Sequence, residues 1–290
     1  MISIVISSYK EACFKQVEQN ILETIGVPHE IIKIDNPGIY GITEAYNIGG
    51  ARAKHDILCF VHDDVKFLTT NWGQNILNHF NEVPDLGLIG IAGATSKTPL
   101  PTGWYHPNLD HIRVNMIQHK RNGEKIHDTR QINAQIDFVK TLDGVFLVTK
   151  KDIWKKFKFS SELKGFHVYD IDFCLRVGQK YKVGVVYDVL MEHFSEGTFT
   201  DEWVTTTINY HNNPHHQGFF DKKSEDPSPY RVCWYYFLML DNKISFKNRL
   251  KYCNELGVDV KSIPFALNFL FPTLVKPIFD ILLKTKQQFR

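Results

Sequence analysis

The chain has 290 residues, of which 43% are hydrophobic, 13% aromatic and 23% charged, an ordinary globular balance that excludes a disordered or collagen-like polypeptide. Its 34 Lys+Arg against 32 Asp+Glu leave a formal charge of +2, so no global field argues for nucleic acid as a partner. The five cysteines, Cys13, Cys59, Cys174, Cys233 and Cys253, are odd in number and form no C-x-x-C, which argues against a disulfide framework or a cysteine zinc site.

The opening MISIVISSYK has no basic region followed by a long apolar run and reads as a strand from residue 2, so a cytoplasmic location is expected. Phe14, Val17, Ile21 and Ile25 then recur at helical spacing and are closed by Gly26 and Pro28. Residues 30–35 predict a second strand and 43–54 a helix. Residues 56–61 predict a third strand that stops abruptly at His62-Asp63-Asp64. Trp72, Ile76, Phe80 and Val83 share a helical face, and 87–93 predict a fourth strand. Strands alternating with such helices mean βαβ units. The expected fold is an α/β sandwich of three layers with a mostly parallel central sheet.

Residues 94–136 break the rhythm with Pro99, Pro101 and Pro107, and are expected to be a functional loop or small subdomain whose His106, His111, His119 and His127 are solvated. Pattern returns with a strand at 145–149, a helix at 170–180 and a strand at 182–187. The expected main domain spans 1–210, a polar linker 211–229 and a helical C-terminal extension 230–290. The apolar stretch 263–283 carries Pro264, Pro272 and Pro277 with Asn268, Lys276 and Asp280, which argues against a membrane span. Helices docked on the domain or in a homodimer interface are expected. The alternative is an interfacial segment, 263–290, resting on the inner face of an anionic membrane.

In open α/β sheets ligands bind beyond the carboxyl ends of the strands. Here those ends are polar at Ser7–Glu11, Asp35-Asn36, His62–Asp64 and Glu192-His193. The chain lacks G-x-x-x-x-G-K-[ST] and G-x-G-x-x-G, which removes the P-loop and dinucleotide explanations. Adjacent carboxylates such as Asp63 and Asp64 can hold Mn²⁺ or Mg²⁺, and such an ion would neutralise phosphate oxygens. A turn or helix cap is the alternative for that pair.

Several separated segments resemble, in order, the family 2 glycosyltransferases of GT-A fold over residues 1–200. They are ISIVISSYKE, Ile34-Asp35-Asn36, Ala45-Tyr46-Asn47-Ile48-Gly49, DILCFVHDDV, DGVFLVTKKDIW, FHVYDIDFCLR and MEHFSEG. The resemblance implies an inverting, metal-dependent transfer of a sugar from a nucleotide-diphosphate sugar to a hydroxyl of a glycan or lipid-linked acceptor, as in surface polysaccharide synthesis. It implies Asp64 and His193 as metal ligands and Asp170 as catalytic base. Ser8, Tyr9, Glu11, Asp35, Asn47, His62, Asp63 and Gly144 fall at donor-site positions. His62 stands where the first Asp of D-x-D is expected, and Tyr169 replaces the Glu of Glu-Asp. These two departures keep open a non-catalytic nucleotide- or sugar-binding module of the same fold. A sugar nucleotidyltransferase is a weaker alternative, because SSYKE does not supply its Gly-rich loop.

Overall fold

The computed structural model describes residues 1–133, 135–197, 199–221 and 244–257. Its first sheet has seven strands in the order β2 (His29–Asp35), β1 (Ile2–Ser8), β3 (Ile57–Val61), β11 (Phe146–Lys150), β5 (Leu86–Gly90), β12 (Lys182–Val186) and β9 (Ile136–Phe138). β1 runs parallel to β2 and β3, and β5 parallel to β12, whereas β11 and β9 run antiparallel to their neighbours. A second sheet carries β10 (Thr141–Leu142), β6 (Ala92–Ala94), β7 (Ile112–His119), β13 (Met191–His193) and β4 (Val65–Phe67), with β8 (Lys125–Arg130) paired to β7.

Side-chain alternation divides the core into two layers. Ile2, Ile4 and Ile6 of β1 and Ile57, Cys59 and Val61 of β3 face one side, against Phe14, Val17 and Ile21 of α1 (Glu11–Thr24) and Trp72, Ile76 and Phe80 of α3 (Trp72–Glu82). Val5, Leu58 and Phe60 face the other, against α2 (Ile42–Arg52), α4 (Lys151–Phe157) and α5 (Tyr169–Val177). Period-2 strands between period-3.6 helices give the expected three-layer α/β architecture. α1 ends where Gly26 takes φ +72 and packs against Asn71, a place with no room for a Cβ.

The expected loop 94–136 contains a hairpin. Ile112, Val114 and Met116 alternate into the core, and β7 turns through Asn122-Gly123, with Gly123 at φ 85, into β8. This corrects the reading of its histidines. His106 is 4% exposed and accepts from the Asn108 N–H, and its ring meets His111 edge-on. Burial drives its pKa down to about 4. His111 and His119 are half-buried, and His127 alone of the four is exposed.

The start of the expected linker is docked on the domain. Residues 211 and 212 complete α6 (Asp201–Asn212), and Pro214–Phe219 form a 3-10 turn capped by Asn213. Asp221 pairs with Lys140 and accepts from the Ser96 hydroxyl and the Lys97 N–H. Within the expected extension, α7 (Phe246–Glu255) packs on α6, and its Tyr252 hydroxyl donates to the Pro101 carbonyl. The rest of the linker and extension, including 263–290, lies outside the described residues. Among the described residues no helix is long and apolar enough to cross a membrane.

Among the described residues Trp72 is the largest fully buried side chain. It stacks on Phe67 at 4.3 Å, meets Phe146 edge-on and donates its indole N–H to Thr24 Oγ1 at 3.1 Å. Trp72→Ala should destabilise the domain by about 3–5 kcal/mol in a denaturant titration, and Trp72→Phe by less, because most of the packed ring is kept.

Candidate active site

The site is assembled where the chain changes sheets. β3 belongs to the first sheet and β4 to the second, and His62-Asp63-Asp64 is the turn between them. Parallel pairing of β3 with β1 (Val61 opposite Ile6) and of β1 with β2 (Ser8 opposite Asp35) brings three carboxyl ends to one rim. β11 runs the other way, so its beginning reaches that rim too, and the His62 N–H donates to the Val145 carbonyl. From the second sheet, β13 pairs antiparallel with β4, setting His193 opposite Val65, and the Phe194 N–H donates to the Asp64 carbonyl.

His62, Asp64 and His193 converge, with one ligand atom from each within 4.8 Å of the others. Asp64 Oδ1 lies 3.8 Å from His62 Nδ1 and 3.7 Å from His193 Nε2. The tautomer of His193 follows from its neighbour. Gln118 Nε2 donates to the carbonyls of Ser195, His119 and His193, so Gln118 Oε1 faces His193 Nδ1 at 3.1 Å and must accept. Nδ1 therefore carries the proton and Nε2 the lone pair. That Nε2 is buried and has no hydrogen-bond partner. Burial, then repulsion from His62, holds the His193 pKa down to about 4, which keeps the ring neutral as a ligand must be. Asp64 stays ionised: burial opposes this, but the two imidazoles and the Ser195 hydroxyl outweigh it. An orphaned imidazole lone pair beside an ionised carboxylate fits a divalent cation.

His62 Nε2 lies 2.9 Å from the Tyr169 hydroxyl, which can accept its proton and leave Nδ1 free toward Asp64. Tyr169 reaches that point over Gly144, where a Cβ would stand 2.0 Å from the Tyr169 oxygen. The same Gly144 offers its N–H to Asp170 Oδ2 at 3.2 Å, and Asp170 also accepts from its neighbour Ile171. Burial raises the Asp170 pKa to about 6.

A cleft of about 460 Å³ opens over this centre. Ser8, Tyr9, His62, Asp63 and Asp64, all expected at the site, line it, together with Asn36, Tyr46 and Phe166. Ser8 donates to Asp63 Oδ2 at 2.5 Å, which turns Asp63 away from the imidazoles. Other expected donor-site residues lie elsewhere. Glu11 and Asp35 are exposed and pair with Lys33. Asn47 spends both ends of its amide on the Phe159 backbone, which makes it a brace between α2 and the chain after α4. Gly144, Asp170 and His193 do not line the cleft, and Gly144 makes space for Tyr169. Sequence reasoning missed Gln118 and Asp143. Gln118 sits in the stretch read as a loop, and Asp143 immediately precedes Gly144 in the DGVF segment.

The family model described as "Glycosyltransferase like family" matches residues 2–222. No curated protein matches the chain. Among solved structures, the chain is similar to GalNAc-T7 crystallised with UDP, GalNAc and Mn²⁺, at 10% identity and a TM-score of 0.48, over 68% of this chain and 43% of that one. It thus spans less than half the length of that relative. It is also similar to the mannosyltransferase PcManGT from Pyrobaculum calidifontis in complex with GDP-Man and Mn²⁺, at 12% identity and a TM-score of 0.48, over 94% of this chain and 79% of that one. A197 from STIV matches at 15% identity and a TM-score of 0.39, over 67% and 86%. With its model spanning residues 2–222 of 290, the chain belongs to the glycosyltransferase-like family.

Proposed function

We propose that the protein is an inverting, metal-dependent glycosyltransferase that moves a sugar from a nucleotide-diphosphate sugar to an acceptor hydroxyl. The observation that carries this reading is the convergence of His62 and Asp64, which line the cleft, with the orphaned Nε2 of His193. These three residues would hold the cation. Two nitrogens and one oxygen favour Mn²⁺ over Mg²⁺, which prefers oxygen ligands throughout. When bound, the cation neutralises the charge that develops on the diphosphate as the anomeric bond breaks.

The protein's own groups supply the rest. The nucleotide lies over the carboxyl ends of β1 and β2, between Tyr9 and Phe166, whose exposed rings offer stacking faces. Asp170 takes the proton of the acceptor hydroxyl as that oxygen bonds to the anomeric carbon. A single displacement of this kind inverts the centre. The acceptor is a glycan or a lipid-linked saccharide, and the setting is surface polysaccharide synthesis at the cytoplasmic side of a membrane. The reading is supported by membership of the family and by the cation-ready triad.

Calorimetry with UDP, GDP, CDP and dTDP, each with and without Mn²⁺, tests the donor site. One nucleotide should bind in a Mn²⁺-dependent way, and Asp64→Ala should abolish that binding. Asp170→Asn should keep it while transfer falls by roughly 10²–10⁴-fold. Equal loss of nucleotide binding in both folded variants would contradict the separation of roles. Failure to hydrolyse or transfer from any donor, with nucleotide still bound, would favour the non-catalytic module.

Gln118→Ala and Gly144→Ala leave all three ligands in place but disturb the partners that orient His193 and His62. Each should weaken Mn²⁺ binding by about 10–100-fold in a direct metal titration.

A further inference from the structure

A cation site made of one or two carboxylates is unfinished until substrate arrives. Mg²⁺ is characteristically held that way, keeping several waters and relying on substrate phosphates rather than on an all-protein cage. Two imidazoles with a carboxylate are a different donor set. Nitrogen ligands suit transition ions, whose affinity for such a site rises from Mn²⁺ to Co²⁺.

Here each of the three side chains is placed by the protein alone. The His62 N–H donates to the Val145 carbonyl at 3.1 Å, and its ring Nε2 lies 2.9 Å from the Tyr169 hydroxyl. Tyr169 is in turn buried and meets Tyr46 edge-on, with ring centroids 6.0 Å apart. The Asp64 carbonyl accepts from the Phe194 N–H at 2.9 Å, and the adjacent Asp63 is drawn off by Ser8. His193 is set by its pairing with Val65 and by Gln118 Oε1, 3.1 Å from its Nδ1. The two imidazoles stand 5.9 Å apart between centroids, with Asp64 Oδ1 3.8 Å from a nitrogen of His62 and 3.7 Å from one of His193. Atoms bonded to one ion at about 2.1 Å lie at most about 4.2 Å apart. Both separations therefore admit an ion as they stand. His62 and Asp64 keep 33% and 27% of their side chains exposed and line the cleft, so the centre stays open on that side.

We propose that the protein takes up a transition-metal ion on its own side chains before any nucleotide arrives, with His62, Asp64 and His193 as three protein ligands. The proposal rests on the glycosyltransferase reading above and deepens it, because the diphosphate then adds to a loaded centre instead of carrying the ion in. A site whose ligands are already fixed binds without first having to order them. The two imidazoles also select the ion. Mg²⁺ is refused, and Co²⁺ and Zn²⁺ bind more tightly than Mn²⁺.

The test uses untagged protein free of nucleotide. Titrated with Co²⁺, it should bind one ion per chain and develop the visible absorption of a nitrogen-coordinated centre. Mn²⁺ should bind more weakly at the same place, displaced by Co²⁺ or Zn²⁺ and not by a large excess of Mg²⁺. Electron spin-echo spectra of the Mn²⁺-loaded native protein should show imidazole ¹⁴N, a readout that needs no variant. His62→Ala and His193→Ala, each checked for folding by circular dichroism, should weaken binding by more than the roughly 10–100-fold that loss of a supporting partner costs. Uptake of these ions only when a nucleoside diphosphate is added overturns the proposal and leaves the transferase reading standing. Displacement of Mn²⁺ by an equal concentration of Mg²⁺, an Mn²⁺ centre without imidazole nitrogen, or unchanged binding in folded His62→Ala overturns it as well. A protein that binds the ion as described but then takes no UDP, GDP, CDP or dTDP keeps the metal-first centre and puts the failure on the transferase reading.

Discussion

The site depends on the register of one short antiparallel pair. β4 and β13 share three residue pairs, Phe67 with Met191, Lys66 with Glu192 and Val65 with His193. Side chains alternate along a strand, so a slip of one residue would turn His193 away from Asp64 and bring Glu192 in its place. Both ends of the pair are pinned. The Leu68 N–H donates to the Leu190 carbonyl at one end and the Phe194 N–H to the Asp64 carbonyl at the other, each at 2.9 Å. Burial enforces the same choice, because Met191 and Phe67 are 0% and 1% exposed and would have to leave the core in any other register. Parallel pairing of β13 with β7 sets Gln118 opposite His193. One register thus delivers His193, the proposed ligand, and the group that selects its tautomer.

Around that ligand the chain sorts its charges by direction. Asp63 and Asp64 are adjacent, yet one carboxylate faces Ser8 and the other the imidazoles, so neighbours in sequence do different work. Near Asp170, strain is accepted in exchange for placement. Val168 sits at φ 67 immediately before α5, a conformation that a β-branched residue adopts at a cost of about 1–3 kcal/mol. Burial of Val168 with Ile171, Leu175 and Tyr210 holds it there. The helix is fastened further along by Arg176, which pairs with Asp172 and donates to the Phe157 and Lys158 carbonyls. With its start and its middle both fixed, α5 presents Tyr169 and Asp170 to the rim at a set height.

The layered fold was legible in the sequence because it follows from local periodicity. The strands at β1 and β3 and the apolar spacing in α1 and α3 were all readable from short runs of residues, and the structure has each of them. The hairpin of β7 and β8 carried the same kind of signal: Ile112, Val114 and Met116 alternate and Asn122-Gly123 marks the turn. Prolines and histidines upstream drew attention to the irregular part of that segment. At the site, the residues proposed as ligands stand where motif and strand end coincide, as at Asp64 and His193. Gln118 was not legible, because what defines it is contact across a long stretch of chain: it meets a strand 75 residues away. Asn47 has the reverse character, since its motif position matches while its amide is hydrogen-bonded to the Phe159 backbone.

His62 and Tyr169, which stand where the resemblance to family 2 implied acids, touch each other at 2.9 Å. Read separately, each looks like the loss of an acid that a donor site would use. Read together, they replace two carboxylates by two neutral groups at a rim where Asp64, Asp143 and Asp170 already crowd three. Fewer negative charges in a buried cluster means less mutual repulsion and less desolvation to overcome. The imidazole still turns a nitrogen toward Asp64, with Nδ1 3.8 Å from Oδ1. The pair also sets a condition on a third residue, since the Tyr169 hydroxyl occupies the space that any Cβ at position 144 would need. His62, Gly144 and Tyr169 therefore behave as one unit spread over 107 residues of chain. Restoring an acid at position 62 alone would leave the Tyr169 hydroxyl against a carboxylate, and restoring one at 169 alone would set a new charge against Asp143 and Asp170.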